Sequence, residues 1–473
     1  MNRRLVLLGP ACVMVAGCTV LTPDYRRPAD AVISRPDVQG RLSAGDNPAV
    51  TAAPAIDQWW QLYQSSQLND LVEQSLRANT DIRVAVANLA RAQAGLDVSR
   101  DARLPQLSFE AAPAYSRDSA EEQLVAGPLP NERTYALGAS VSYQVDLFGQ
   151  VRRSIESASA NLDAARAAQA AVRMTVAAQT VQAFIGACAA GRELDVANRA
   201  IDIQTQATRL ARRQFSGGRT TSLDVTRSTT QEQQLRATLP LYESRRKESL
   251  YRLAVLSGLP PDQFPAGLAG CAQEPVLSHP IPTGSGQALL ARRPDVARAE
   301  AELHAATANL GVATADLYPR ISLGASGASI GLMENFLSDD TYKFSIGPLI
   351  TWQFPNRRRA KGTIAGAQAQ MDAAYARFDG TVLNALREVE TALTAYGHDL
   401  ERLAALRATQ RSAQKASDDA RRLYAAGRSG FLPVLDADRS LLAIEQSVAS
   451  QQTQVAGDQV DVFLSLGGGW PSH

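Results

Sequence analysis

Residues 81–108 recur as residues 295–322 at a constant offset of 214, pairing Asp81 with Asp295, Leu89 with Leu303, Leu96 with Leu310 and Pro105 with Pro319. Further along the offset becomes 209, pairing Tyr143 with Trp352, Ile155 with Ile364, Gly218 with Gly427 and Val225 with Val434. A tandem duplication confines the fold to two copies of one plan. The slip in offset falls between two strand-like runs, where loop length is free to vary. Each copy changes hydrophobic period from helix to strand and back to helix. A chain of 473 residues would ordinarily make two or more domains; the repeat implies two interleaved halves of one body instead. Net charge is +1, which removes any bulk electrostatic case for nucleic acid or an acidic partner. Aromatic residues are only 6% while alanine is abundant, a composition suited to long, closely packed helices.

The N-terminus reads as an export signal over residues 1–17. Arg3 and Arg4 supply its positive end, and residues 5–16 a short apolar stretch containing Gly9 and Pro10, too short to stay as a membrane span. It closes on Val15-Ala16-Gly17-Cys18. This resembles the bacterial lipobox, whose cysteine is lipidated and becomes the first mature residue; a coincidental cysteine after an ordinary signal is the alternative. Thr19, not aspartate, follows Cys18, which by the lipoprotein rule directs the chain to the outer membrane. Several acyl chains at about 0.8 kcal/mol per buried CH₂ would hold it to lipid. With Cys12 in the signal and Cys18 modified, Cys188 and Cys271 remain. An oxidising compartment leaves a disulfide between them open, but two cysteines make no framework and read as two unrelated thiols.

Residues 18–55 carry Pro23, Pro28, Pro36, Pro48 and Pro54 without an apolar period and read as an extended tether. The first repeat, 56–260, opens with helix signals that begin near Ile56 and Leu68 and continue to about residue 103, roughly 35 residues or about 50 Å at 1.5 Å per residue, and Pro105 ends them. A clean alternation follows: Tyr135, Leu137, Ala139, Val141, Tyr143 and Val145 are apolar, with Ala136, Gly138, Ser140, Ser142 and Gln144 between them. In the second repeat, 287–468, Phe344, Ile346, Pro348, Ile350, Trp352 and Phe354 alternate with Ser345, Gly347, Leu349, Thr351 and Gln353. Each run is about eleven residues with one apolar face and aromatic ends, the pattern of a tilted transmembrane strand; a half-buried strand of a soluble sheet alternates the same way. Weaker partners at 107–115 and 321–330 complete hairpins at about 106–146 and 320–354.

Long Ala/Gln/Arg-rich helices follow the hairpins at about 150–213 and 359–425, with returning helices at about 223–257 and 432–466. About 65 residues of unbroken helix would reach roughly 95 Å. Val382, Leu386, Val389, Leu393, Tyr396, Leu400 and Leu403 step by four and three as a coiled-coil seam. Leu441, Ile444, Val448, Gln451, Val455, Asp458 and Val462 keep the same rhythm with two polar breaks. Pro240 should kink the first returning helix, and its counterpart Ala449 should not. Residues 261–286, rich in Pro and Gly, connect the repeats, Pro294 and Asp295 mark a helix start, and 469–473 form a tail.

Four alternating strands cannot sit in hydrocarbon as an open sheet, because edge N–H and C=O groups left unpaired cost several kcal/mol each. The smallest usual barrels have eight strands. Two chains would supply eight and three would supply twelve; the small residues Gly138, Ser140, Ser142, Gly347 and Thr351 suit an open interior.

The lipobox, the tether Pro23-Asp24-Tyr25-Arg26-Arg27-Pro28, Trp59-Trp60, the strand Tyr143-Gln144-Val145-Asp146-Leu147-Phe148-Gly149 and the duplicated helical tips together resemble the TolC-like outer-membrane efflux factors, in particular their lipidated OprM/NodT-type branch. The resemblance covers almost the whole mature chain. It implies a mixed α and β membrane protein: a homotrimer with a 12-stranded transmembrane β-barrel, four strands per protomer, continued by a long periplasmic α-helical barrel of coiled-coil helices. It places residues 261–286 in an equatorial belt. It also implies an exit duct of a tripartite efflux system for antimicrobials or other small toxic compounds. The implied partners are outer-membrane lipid, a periplasmic adaptor (membrane fusion) protein and an inner-membrane pump, commonly of the RND class. No cofactor is implied beyond covalent lipid on Cys18.

Residues 215–225 and 424–436 join long helix to returning helix. Gly218 and Gly427 suit a helix C′ position with positive φ. By resemblance, Gly218, Arg219, Leu223, Asp224, Gly427 and Arg428 belong to tips that contact the adaptor. Leu432 and Asp436 match the hydrophobic and acidic positions of the periplasmic constriction, and Arg439 matches a basic residue of its polar network. Three copies of Asp436 would set a carboxylate ring across the pore. Pro433 at the first helical position with Asp436 in the first turn is also ordinary helix-start chemistry. The second tip has Phe431 and Pro433 where the first has Ser222 and Asp224, so the acidic tip residue occurs once.

Nothing argues for an enzyme. His279, His304, His398 and His473 are isolated and lack metal spacing, and Asp436 with Asp438 makes a poor metal pair. Energy for export must come from a partner. A type I protein secretion duct would use the same architecture. A non-transporting envelope lipoprotein braced by coiled coils would have no use for lipid-facing hairpins.

Overall fold

The computed structural model describes residues 24–40, 42, 48–352 and 357–468. The signal peptide, Cys18, Phe354 and the tail 469–473 lie outside them. In chain order the elements are α1 (Pro36–Gln39), β1 (Val50–Thr51), α2 (Ser66–Ala78), α3 (Thr80–Asp101), β2 (Gln106–Ser116), β3 (Glu132–Val145), α4 (Gln150–Ser216), α5 (Ser222–Arg236), α6 (Leu239–Leu256), β4 (Ile281–Pro282), α7 (Gly286–Arg292), α8 (Pro294–Ala315), β5 (Arg320–Leu332), β6 (Tyr342–Thr351), α9 (Arg357–Ala425) and α10 (Phe431–Ser465). They fall into two compact units, each drawing on both repeats.

The first unit holds residues 24–27, 89–165 and 299–378 of the described chain. Its sheet runs β2-β3-β5-β6, every neighbouring pair antiparallel. Leu96, Val151, Ile155 and Leu162 form a small apolar core beside it. The tether motif is anchored here. Arg27 grips Glu300 with two bonds of 2.8 and 2.6 Å, Tyr25 stacks on His304 at 4.4 Å, and Asp24 pairs with Arg153 at 3.1 Å.

The second unit holds residues 28–88, 166–298 and 379–468 of the described chain. Trp59, Trp60 and Tyr63 are buried there, Trp59 stacked on Phe463 at 4.7 Å. The seam of α9 and α10 is buried at Val382, Val389, Leu393, Tyr396, Leu403, Leu441, Val448, Val455 and Val462, as its four-three steps require. One polar break is met in full, Gln451 Nε2 donating to the backbone O and Oδ1 of Asp399; the other is met in half, since Asp458 Oδ1 accepts from Gln454 while Oδ2 has no hydrogen-bond partner.

The helix of roughly 35 residues expected to run to about residue 103 is in fact broken at Asn79, whose backbone is extended (φ −60°, ψ 136°). Its side chain competes with the helix. Oδ1 accepts from the N–H groups of Asp81 and Ile82, capping α3, and Nδ2 donates to Leu256 O at 3.1 Å. At the 214 offset Arg293 parts α7 from α8 and donates to Ser465 O at 2.8 Å. Leu256 and Ser465 are themselves 209 apart, so the break and its tie to the last helix belong to the repeat. Gly258 and Gly467 follow with φ of +72° and +67°; a Cβ at Gly258 would stand 2.7 Å from Ala78 O.

Pro240 does more than kink: it opens α6, separated from α5 at Ala237 and Thr238, whereas α10 passes unbroken through Ala449. The expectation of two unrelated thiols is corrected. Cys188 and Cys271 form a disulfide with Cα atoms 4.7 Å apart. The connector returns to α4 so closely that a Cβ on Gly191 would lie 1.9 Å from Cys271 O. Glu274, three residues on, pairs with Arg192, which also donates to Ala449 O and Thr453 Oγ1.

Candidate functional site: sheet faces and helix tips

Register puts Leu107, Phe109 and Tyr115 of β2 on the same face as Val141 and Tyr143 of β3, Leu323 of β5, and Phe344, Ile346 and Ile350 of β6. All nine are exposed, Phe344 at 85% and Ile346 at 79%. Each such side chain left in water forfeits about 1.5–3 kcal/mol, so this face requires a non-aqueous neighbour. The opposite face carries Ser108, Gly138, Ser140, Ser142, Ser322, Gly324, Ser326, Gly347 and Thr351, and the charges Glu110, Arg320 and Lys343. β2 and β6 are the sheet's open edges. Roughly ten outward backbone groups on each, at several kcal/mol apiece in hydrocarbon, forbid this sheet from entering lipid alone.

In the second unit, both long helices end in the same backbone device. Gly218 has φ +70° and donates its N–H to Phe215 O, while Arg219 N donates to Gln214 O. Gly427 has φ +69° and donates to Tyr424 O, while Arg428 N donates to Leu423 O. These are paired Schellman closures. Arg219, Leu223 and Arg428 are exposed. Asp224 is spent locally: its carboxylate accepts from the Thr220 and Thr221 hydroxyls and the Thr221 N–H, closing a capping box. Those hydroxyl bonds hold its pKa below the usual carboxylate range. Phe431 explains why the second tip departs from the first. It is buried with Ala211 and Leu435 against Val225 and Tyr424, so one side chain packs both tips together.

The helix-start reading of Asp436 is corrected by where α10 begins. With Phe431 as first residue, Pro433 is third and Asp436 lies beyond the first turn. Leu432, Asp436 and Arg439, spaced four and three, form one exposed stripe, while Phe431, Val434, Leu435 and Asp438 turn inward. Arg439 Nε donates to Gln231 Oε1 at 2.8 Å; Asp436 has no hydrogen bond or ion pair among the described residues. Asp438, missed in the sequence except as a metal partner, is buried and held by Ser417 at 2.6 Å and Arg421 at 2.9 Å. Its seam position between Leu435 and Leu442 was the available signal.

The family model described as "Outer membrane efflux protein" matches residues 71–259 and 286–468, one segment per repeat. The chain belongs to that family. It is 30% identical to the pyoverdine export outer membrane protein OpmQ of Pseudomonas putida, over 99% of this chain and 98% of that one. It is 29% identical to the outer membrane protein OprJ of Pseudomonas aeruginosa, over 99% and 97%. The solved outer-membrane channel OprN superposes with a TM-score of 0.88 at 30% identity, over 96% of this chain and 100% of that chain. The fold is therefore that of the TolC-like channels, a trimeric twelve-stranded transmembrane barrel with four strands per protomer and a long helical barrel. This protein is an outer-membrane efflux channel with a large periplasmic extension, and its relatives are transport proteins. The apolar sheet face meets lipid and the small-residue face lines the lumen.

Proposed function

We propose that the channel is the passive exit duct of a tripartite pump for small toxic compounds, held to the outer membrane by lipid on Cys18. It docks a periplasmic adaptor and an inner-membrane pump of the RND class through the tips bearing Gly218, Arg219, Leu223, Asp224, Gly427 and Arg428. The observation that carries the duct is the open four-stranded sheet: one apolar face, one small polar face and two edges that only sister chains can close. The exposed stripe of Leu432, Asp436 and Arg439 supports a gate. A carboxylate beyond the first turn contributes little to the helix dipole, and Asp436 makes no bond within its own chain. Three copies converging on the pore axis form a ring that resists passage.

Single-channel recording tests the gate. Asp436→Ala should raise resting conductance severalfold over wild type, and an unchanged conductance removes the assignment. Deleting the gene should lower resistance to several antimicrobials while leaving the secreted proteins unchanged. The reverse pattern would favour a protein secretion duct.

A further inference from the structure

Where the polar face of the sheet meets the start of α9 lies a cavity of about 370 Å³, lined by Asp316, Tyr318, Arg320, Thr351, Arg359 and Thr363. Arg320 and Thr351 are register partners. They share a face with Ser322, Gly324 and Gly347 and turn away from the side of Phe344 and Ile350, so the cavity opens on the lumen side. Its two guanidinium groups outnumber its one carboxylate: Asp316 Oδ1 accepts from Arg320 at 2.7 Å and from Gln150 at 2.8 Å, so that pair is compensated and Arg359 is left as the cavity's net positive charge, with Arg320 N–H groups beside it as further donors. Arg359 is exposed and has no ion pair among the described residues, and the same holds for its neighbours Arg358 and Lys361. No acidic residue stands in the first turn of α9. These cations therefore gather where the helix dipole is already positive, an arrangement that raises the energy of the site until an anion enters.

We propose that Arg320 and Arg359 form an anion-binding collar on the lumen wall, three copies of each around the pore, that concentrates small organic acids (carboxylates or sulfonates) in the barrel. It rests on the trimeric channel and adds a substrate class to it. A collar of one sign inside low-dielectric walls focuses the field along the pore and favours its counter-ion.

The test uses full-length, detergent-solubilised trimers and the trisulfonated dye pyranine, followed by fluorescence anisotropy at low salt. Wild type should bind the dye saturably. Arg320→Gln with Arg359→Gln should weaken binding about fivefold or more, whereas lysine at both positions should stay within about twofold of wild type. Arg77→Gln on α2 should change nothing. Arg359→Gln alone, at an exposed position, should weaken binding in the same direction if the double variant fails to assemble. Under a KCl gradient the glutamine variant's reversal potential should move toward cation preference. A wild type that ignores the dye, or a glutamine variant that binds it equally, overturns the collar. Absence of trimers or of any pore current in wild type would instead strike the channel reading.

Discussion

Asp458 should make the α9–α10 seam sensitive to pH. Its side chain is only 5% exposed. Oδ1 accepts from Gln454 at 2.9 Å, while Oδ2 is buried without a hydrogen-bond partner. Burial, reinforced by the nearby carboxylates of Asp399 on α9 and Asp461 on α10, pushes its pKa from 3.8 up to about 6. The cavity it lines also holds Arg293, Asp295, Arg387 and Glu388, but Arg293 is engaged by Asp295 and Glu388, each at 2.7 Å. A folded-state pKa above the unfolded value means protonation favours the fold. The contribution is complete below about pH 4 and is lost as pH rises through about 6, worth about 3 kcal/mol across the window. Asp458→Asn keeps the shape, retains an acceptor for Gln454 and offers a donor to Asp399. Hydrogen exchange over residues 448–462 should show wild-type protection, corrected for intrinsic rate, falling between pH 5 and 8. The asparagine variant should stay flat and be better protected at pH 8 by about 2–3 kcal/mol. A flat wild-type profile, or a variant less protected at pH 8, refutes the reasoning.

Two further perturbations follow from the repeat and its connector. Cys271→Ser removes a cross-link spanning 83 residues, whose chain-entropy worth is at most about 4–5 kcal/mol; proteinase K should cut the connector of the native variant at concentrations that leave wild type intact. Asn79→Ala leaves the N–H groups of Asp81 and Ile82 and the carbonyl of Leu256 without their partner, at a cost of about 1–3 kcal/mol. Its thermal midpoint should fall, and Asn79→Asp, which keeps the cap acceptor but sets a buried carboxylate against the Leu256 carbonyl oxygen, should not restore it.

Periodicity was legible wherever one face had to be buried or dissolved in lipid. The alternation of Tyr135–Val145 and Phe344–Thr351 and the four-three rhythm of Val382–Leu403 reappear as sheet and seam because a side chain's period is set by its own element. Contacts that join distant segments were not legible. Cys188 and Cys271 meet because the connector folds back on Gly191, and a Pro/Gly-rich stretch carries no period to announce that. Asn79 looked like one more helical residue, since nothing local reveals that Leu256 O will claim its amide. Pro433 suggested a helix start two residues too late, because Phe431 is drawn into α10 by packing against the neighbouring tip.

The unequal halves of this duplication reach beyond one protomer. One tip enters its returning helix through the Thr221–Asp224 box and soon breaks at Pro240; the other enters from Gly430 without a side-chain cap and runs straight through Ala449. Three chains therefore present tips of two kinds in strict alternation. A ring with threefold repetition can fit every one of its seats to the same kind, whereas six identical subunits must each tolerate whichever kind they happen to meet.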